Sequence, residues 1–302
     1  MPILIPEALP AYKILSEENI FIMSNKRAAS QDIRPIEIAI LNLMPTKIET
    51  ETQLIRLLAN SPLQVNITLI ETATYRGRNT SVAHMDKFYK TFDEIKSRKL
   101  DGLIVTGAPV ETMPFECVDY WPELMTIMNY AKEMVTSTIY ICWGAQAALY
   151  HFYGIKKISL PKKLSGVFEN HATAKHDLLL KGLDDRFYIP HSRYTSIDER
   201  AIAALDDICV LARGHKCGIS VAKTVDNNMF FLFGHSEYDR DTLKREYIRD
   251  REKGIDIAQP SGYFIDGDED NIDMKWNSTG NLLFYNWLNY YVYQVTPYKL
   301  GT

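Results

Sequence analysis

The chain has 302 residues, 46% of them hydrophobic and 24% charged, with 34 basic against 38 acidic side chains and a net charge of -4. A chain this long and apolar buries a sizeable core, so disorder is excluded as the default state. Without a basic surplus, neither nucleic acid nor an anionic membrane is expected as a partner.

Four cysteines, Cys117, Cys142, Cys209 and Cys217, are too few for a disulfide scaffold and make no C-x-x-C pair, which fits a reducing cytoplasm. The N-terminus has no basic start followed by an apolar run, so it is not read as a signal peptide. No apolar stretch reaches the roughly 18 to 20 residues of a membrane span, and the aromatic C-terminal segment is interrupted by Asn281, Asn286 and Asn289.

Residues 1–35 read as an arm packed on a single α/β domain formed by 36–302. The arm is expected to be extended, because Pro2, Pro6 and Pro10 discourage helix before Ser16. Ile36, Ile38 and Ile40 then alternate as in a strand, and Pro45-Thr46 opens a helix carrying Leu54, Ile55, Leu57 and Leu58. A second strand falls at Val65, Ile67 and Leu69. A polar loop with Arg76-Gly77-Arg78 leads to a helix with Phe88, Phe92 and Ile95 on one face, and the third strand is Leu103-Ile104-Val105. After the turn Thr106-Gly107-Ala108-Pro109 come a helix around Glu123 to Met134 and the strand Ser137 to Ile141. Repeated β-α-β units imply a mainly parallel sheet flanked by helices. Three closely spaced strands, Ile208 to Leu211, Ile219 to Ala222 and Met229 to Phe233, add hairpins in the second half.

The sharpest local pattern is Tyr140-Ile141-Cys142-Trp143-Gly144-Ala145-Gln146, in which an apolar strand ends on a cysteine and small residues open a helix. That is a nucleophile-elbow pattern with Cys142 in the reactive position. A helix N-terminus favours a thiolate, and the Trp143 amide is placed to face an oxyanion formed at an attacked carbonyl. A base is available in Phe233-Gly234-His235-Ser236-Glu237, where His235 could take the thiol proton and Glu237 could fix its tautomer. The remaining histidines, His84, His151, His171, His176, His191 and His215, show no metal-ligand spacing, and no metal is expected.

Together, the Cys142 elbow, the His235-Ser236-Glu237 strand end and the Thr106-Gly107-Ala108-Pro109 turn resemble the class I glutamine-amidotransferase fold. The match is closer to the homoserine O-acyltransferase family, which opens methionine biosynthesis, and extends to Leu41-Asn42-Leu43-Met44-Pro45-Thr46-Lys47 and the segment carrying Arg249. The resemblance implies that Cys142 holds an acyl group taken from a coenzyme A thioester. His235 would then deprotonate the hydroxyl of L-homoserine, with Glu237 orienting the imidazole. It also implies substrate contacts at Lys163 and Ser192, and a homodimer.

Homoserine is a zwitterion, so its site needs a cation for the carboxylate and an acid for the ammonium. Arg249 and Glu246, three residues apart on one helix face, supply such a pair. The charge pattern alone does not choose Lys163 over Lys162. Lys47, at a strand-to-helix turn, and Tyr238, beside the His-Ser-Glu segment, are further candidates for substrate contact. Among family members the acyl choice is assigned to the position of Glu111, where succinyl-type members resemble one another in having glycine. A carboxylate there fills the space of a four-carbon chain and repels its terminal charge, so acetyl-CoA is the expected co-substrate, with no bound cofactor. The alternatives are a succinyltransferase, a glutaminase subunit using the same Cys142, His235 and Glu237, and a binding protein with an inert cysteine.

Overall fold

The computed structural model describes residues 3–18, 20, 22–23, 34–75 and 79–296. Its strands are Ile3–Leu4 (β1), Ile22–Met23 (β2), Ile36–Leu41 (β3), Val65–Glu71 (β4), Tyr89–Thr91 (β5), Gly102–Val105 (β6), Ser137–Ile141 (β7), Lys157–Ala172 (β8), Phe187–Ile197 (β9), Ile208–Gly214 (β10), Gly218–Thr224 (β11) and Met229–Leu232 (β12). Its α-helices are Pro10–Glu17 (α1), Lys47–Ala59 (α2), Val82–Phe88 (α3), Phe92–Ile95 (α4), Trp121–Met134 (α5), Trp143–Tyr153 (α6), Glu199–Ala203 (α7), Thr242–Glu252 (α8) and Asn277–Asn286 (α9).

The strands form one sheet in the order β2-β1-β4-β3-β6-β7-β12-β11-β10-β8-β9, with β5 on β4. From β2 to β12 neighbouring strands run parallel, and from β12 to β9 they run antiparallel. The central parallel strands β3, β6, β7 and β12 are largely apolar because both faces are covered. Ile40, Ile104 and Ile139 pack on one side with Leu54 and Leu58 of α2 and with Phe284 and Trp287. On the other side, Leu41, Val105 and Tyr140 meet Trp121 and Leu124 of α5 and Trp143 of α6. Each such buried side chain contributes about 1.5–3 kcal/mol. Because β3, β6, β7 and β12 are parallel, the segments that follow them emerge along one sheet edge, where α/β folds build their sites.

Two local expectations are corrected. The arm is not extended up to Ser16: α1 starts at Pro10, which takes the first helical position, where a missing N–H costs nothing. Nor do Phe88, Phe92 and Ile95 share one helix. Tyr89–Thr91 breaks away to pair with Leu69–Glu71, and Thr91 restarts the helix through a capping box with Glu94. The Arg76-Gly77-Arg78 loop lies outside the described residues, as do Met1, Pro2 and residues 24–33 of the arm. Two features had no counterpart in the expected pattern: the long antiparallel β8–β9 ribbon, and α9 with the π-helical turn Trp287–Tyr293. Among the described residues, no helix is long and apolar enough to cross a membrane.

Candidate active site

Strand β7 ends at Ile141 and α6 begins at Trp143, leaving Cys142 as the N-cap between them with φ 49° and ψ -111°. A side chain in that region is strained, and the elbow holds it by packing. Cys142 N donates to Leu232 O at 2.7 Å, and Cys142 O accepts from Gln146 N at 3.2 Å. Gly144 lets α6 lie against β6, since an added Cβ would come 2.8 Å from Thr106 O and 3.0 Å from Val105 O. As the first helical residue, Trp143 has an amide without an intrahelical acceptor. Its indole is buried beside Phe115 and Tyr120, away from the cavity described below.

His235 follows the end of β12, and its amide donates to Pro190 O at 2.7 Å. Cys142 and His235 flank the same point of the Thr106–Pro109 turn: a Cβ built on Gly107 would lie 3.4 Å from Cys142 Cβ and 3.6 Å from His235 Cε1. His235 Nδ1 sits 2.7 Å from Glu237 Oε1, and both side chains are buried. Tyr238 stacks on the imidazole, with ring centroids 4.3 Å apart. Burial opposes charge on His235. The Cys142 sulfur, within hydrogen-bonding reach, and the Glu237 carboxylate outweigh it and hold the imidazole pKa well above the ordinary histidine value.

A cavity of about 460 Å³ opens over these groups, lined among others by Cys142, His235, Glu237, Glu111, Lys163, Ser192, Tyr238, Glu246 and Arg249. Part of its wall is one charged network. Lys163 Nζ lies 2.7 Å from Asp250 Oδ2 and 3.7 Å from Glu246 Oε2. Glu246 also accepts from Ser192 Oγ and, at 2.9 Å, from Tyr238 Oη. Arg249 Nε and Nη2 donate to Asp250 Oδ1 at 2.9 and 2.8 Å. Lys163 faces inward with a side chain 7% exposed, whereas its neighbour Lys162 is exposed. Ser192 and Tyr194 reach the cavity because β9 alternates: His191, Arg193 and Thr195 are buried on its other face.

Glu111 is half-buried and tied to β9. Its Oε2 accepts from Tyr194 N at 2.8 Å and from Thr195 N and Oγ1, both at 3.2 Å. Burial raises its pKa, although these hydrogen bonds and Lys163 pull the other way. Lys47 is not brought to the cavity. Its ammonium turns inward beneath the loop and donates to Asn42 O, over the Tyr89 ring. Burial pushes its pKa down to about 8, against the pull of Glu71 and Glu51. Loop residues Met44, Pro45 and Thr46 line the cavity in its place. Asp250, Gln53, Thr242 and Arg245 were not singled out from sequence. Asp250 joins the two predicted cations, and the other three line the wall formed by α2 and α8. Among the described residues, no group of three or more His, Cys, Asp or Glu side chains is arranged to hold a metal ion.

Comparison with known proteins places this geometry in a family. A family model described as homoserine O-succinyltransferase (HTS) matches residues 2–298. The homoserine O-acetyltransferase of Shouchella clausii is 54% identical over 301 residues, covering 99% of this chain and 97% of its own length. The protein of the same name from Clostridium acetobutylicum is also 54% identical over 301 residues, covering 99% of this chain and 100% of its own length. Of solved structures, a glutamine amidotransferase from Methylobacillus flagellatus has a TM-score of 0.53 at 13% identity, over 85% of this chain and 95% of that one. Another, from Thermotoga maritima, has a TM-score of 0.52 at 10% identity, over 73% and 84%. The structural likeness is one of fold, and it bears out the expected α/β class. The full-length match decides the rest: the chain belongs to the homoserine O-acyltransferase family, a family of acyltransferase enzymes.

Proposed function

We propose that the protein is a homoserine O-acetyltransferase working through an acyl-cysteine. The observation that carries this reading is a single cavity lined both by Cys142, His235 and Glu237 and by Lys163, Ser192, Glu246 and Arg249. Cys142 passes its proton to His235 and its sulfur attacks the acetyl-CoA carbonyl, with the Trp143 amide facing the developing oxyanion. The carbon–sulfur bond to coenzyme A breaks and the leaving thiolate takes the proton from His235. Homoserine then enters, its carboxylate on Arg249 and Lys163 and its ammonium toward Glu246. His235 removes the hydroxyl proton, the oxygen attacks the thioester, and Cys142 leaves to give O-acetyl-L-homoserine.

The acetyl choice rests on Glu111, whose carboxylate occupies the cavity wall and is held there by Tyr194 and Thr195. It meets the terminal charge of a succinyl group with repulsion and leaves an acetyl methyl untouched. The test is intact mass after mixing with acetyl-CoA or succinyl-CoA without homoserine, then peptide mapping and a homoserine chase. An acetyl adduct on Cys142 that homoserine discharges is the expected result. A succinyl adduct alone overturns the acyl donor and keeps the mechanism, whereas glutamine hydrolysis without either adduct overturns both.

A further inference from the structure

We infer that Asp250 is a positioning residue for the acyl acceptor: its one buried carboxylate holds Lys163 and Arg249 in a shared cradle for the carboxylate of homoserine. This rests on the reading of the cavity as a homoserine site. Asp250 is 4% exposed and sits on α8 next to Arg249, while Lys163 comes from β8, 87 residues away in sequence. The two oxygens are divided between the cations, Oδ2 to Lys163 Nζ at 2.7 Å and Oδ1 to Arg249 Nε and Nη2 at 2.9 and 2.8 Å.

The division has two consequences. Arg249 is gripped through Nε and Nη2, so the Nη1 donors remain for a ligand, and the side chain as a whole is 52% exposed. Lys163 is held off Glu246, which stands 3.7 Å away and is already engaged by Ser192 and Tyr238. Without Asp250 the buried ammonium keeps its other ion-pair partner, Glu246. It would close on it and cover the acid that meets the substrate ammonium. Lys163 and Arg249 against Asp250 and Glu246 leave the wall neutral overall, which suits a zwitterion better than a simple anion.

The test separates the two half-reactions in Asp250→Asn, which keeps the shape and removes the charge. Acyl-enzyme formation from acetyl-CoA, which needs no homoserine, is expected to stay within about twofold of wild type, and KM for homoserine to rise roughly tenfold or more. With 1-propanol, an acceptor carrying neither the carboxylate nor the ammonium, wild type and variant should differ by less than about threefold. An unchanged homoserine KM, or an equal loss in both half-reactions, overturns the role. If Asp250→Asn does not fold, Asp250→Glu, which keeps the charge displaced by one methylene, must raise KM for homoserine without slowing acylation; otherwise the role is again overturned. A wild-type protein that forms neither the acyl-enzyme nor O-acetyl-L-homoserine overturns the reading of the cavity as a homoserine site, and the role of Asp250 with it.

Discussion

His235 Nδ1 lies 2.7 Å from Glu237 Oε1 inside the protein, so the imidazole is fixed in the tautomer that presents Nε2 to Cys142. The two residues are separated by Ser236 alone, and the turn after β12 folds them onto one another.

Glu237→Gln tests this pair. Removing the carboxylate charge withdraws one of the groups that raise the His235 pKa, so the protonated ring is less favoured. Acyl transfer is expected to fall about 10²- to 10⁴-fold. A raised folded-state pKa stabilises the protein below the unfolded value and is lost as pH rises through the folded value. The acid limb of the kcat/KM profile, where His235 must give up its proton to serve as the base, therefore moves to lower pH in the variant. A limb that stays in place contradicts the assignment.

Glu111→Gly frees the amides of Tyr194 and Thr195 and the hydroxyl of Thr195, which now bind the Glu111 carboxylate. Those donors can receive the terminal carboxylate of a succinyl group. The ratio of kcat/KM for succinyl-CoA over acetyl-CoA should rise by roughly tenfold or more. A ratio that does not move would mean that the acyl choice is made elsewhere.

Cys142 has φ 49° and ψ -111°, a conformation open to glycine and costly for any side chain. Cys142→Gly and Cys142→Ala both remove the thiol, so both should be inactive. In urea unfolding the glycine variant is expected to be the more stable by about 1–3 kcal/mol. Equal stabilities would show that the elbow carries no strain.

Lys47, held near pKa 8 by burial, gives a pH signature of its own. Between that value and the ordinary 10.5 the unfolded chain binds the extra proton, so folding stability from this group rises with pH across the window and is lost as pH falls through about 8. The stability of wild type relative to Lys47→Met should therefore increase between about pH 8 and 10. A constant difference would place the lysine in solvent.

The strands of the parallel core were legible because a strand covered on both faces is largely apolar, as Ile36, Ile38 and Ile40 of β3 and Ile139, Tyr140 and Ile141 of β7 show. The elbow was legible for a related reason: Gly144 and Ala145 come just after Cys142-Trp143, and small residues are what a close strand-to-helix turn requires. His235 and Glu237 could be paired because two residues in a turn lie within reach whatever surrounds them. Beyond that range, local pattern loses its hold. A register shift between Ser159 and Leu164 breaks the alternation of β8, so parity along the strand could not separate Lys163 from Lys162. Lys47 sits at the expected turn but points away from the cavity, because Asn42 and the buried acids behind it offer the ammonium partners. Asp250 lies in an Arg-Asp-Arg-Glu run that reads as a solvated helix end, and only the packing of α8 against β8 buries it between two cations. Sequence by itself determined the strands of the parallel core, the Cys142 elbow and the nearness of His235 to Glu237, which depend on neighbours along the chain. Tertiary structure decided which charges meet, because the energy of a buried ion pair depends on groups that the chain brings together from far apart.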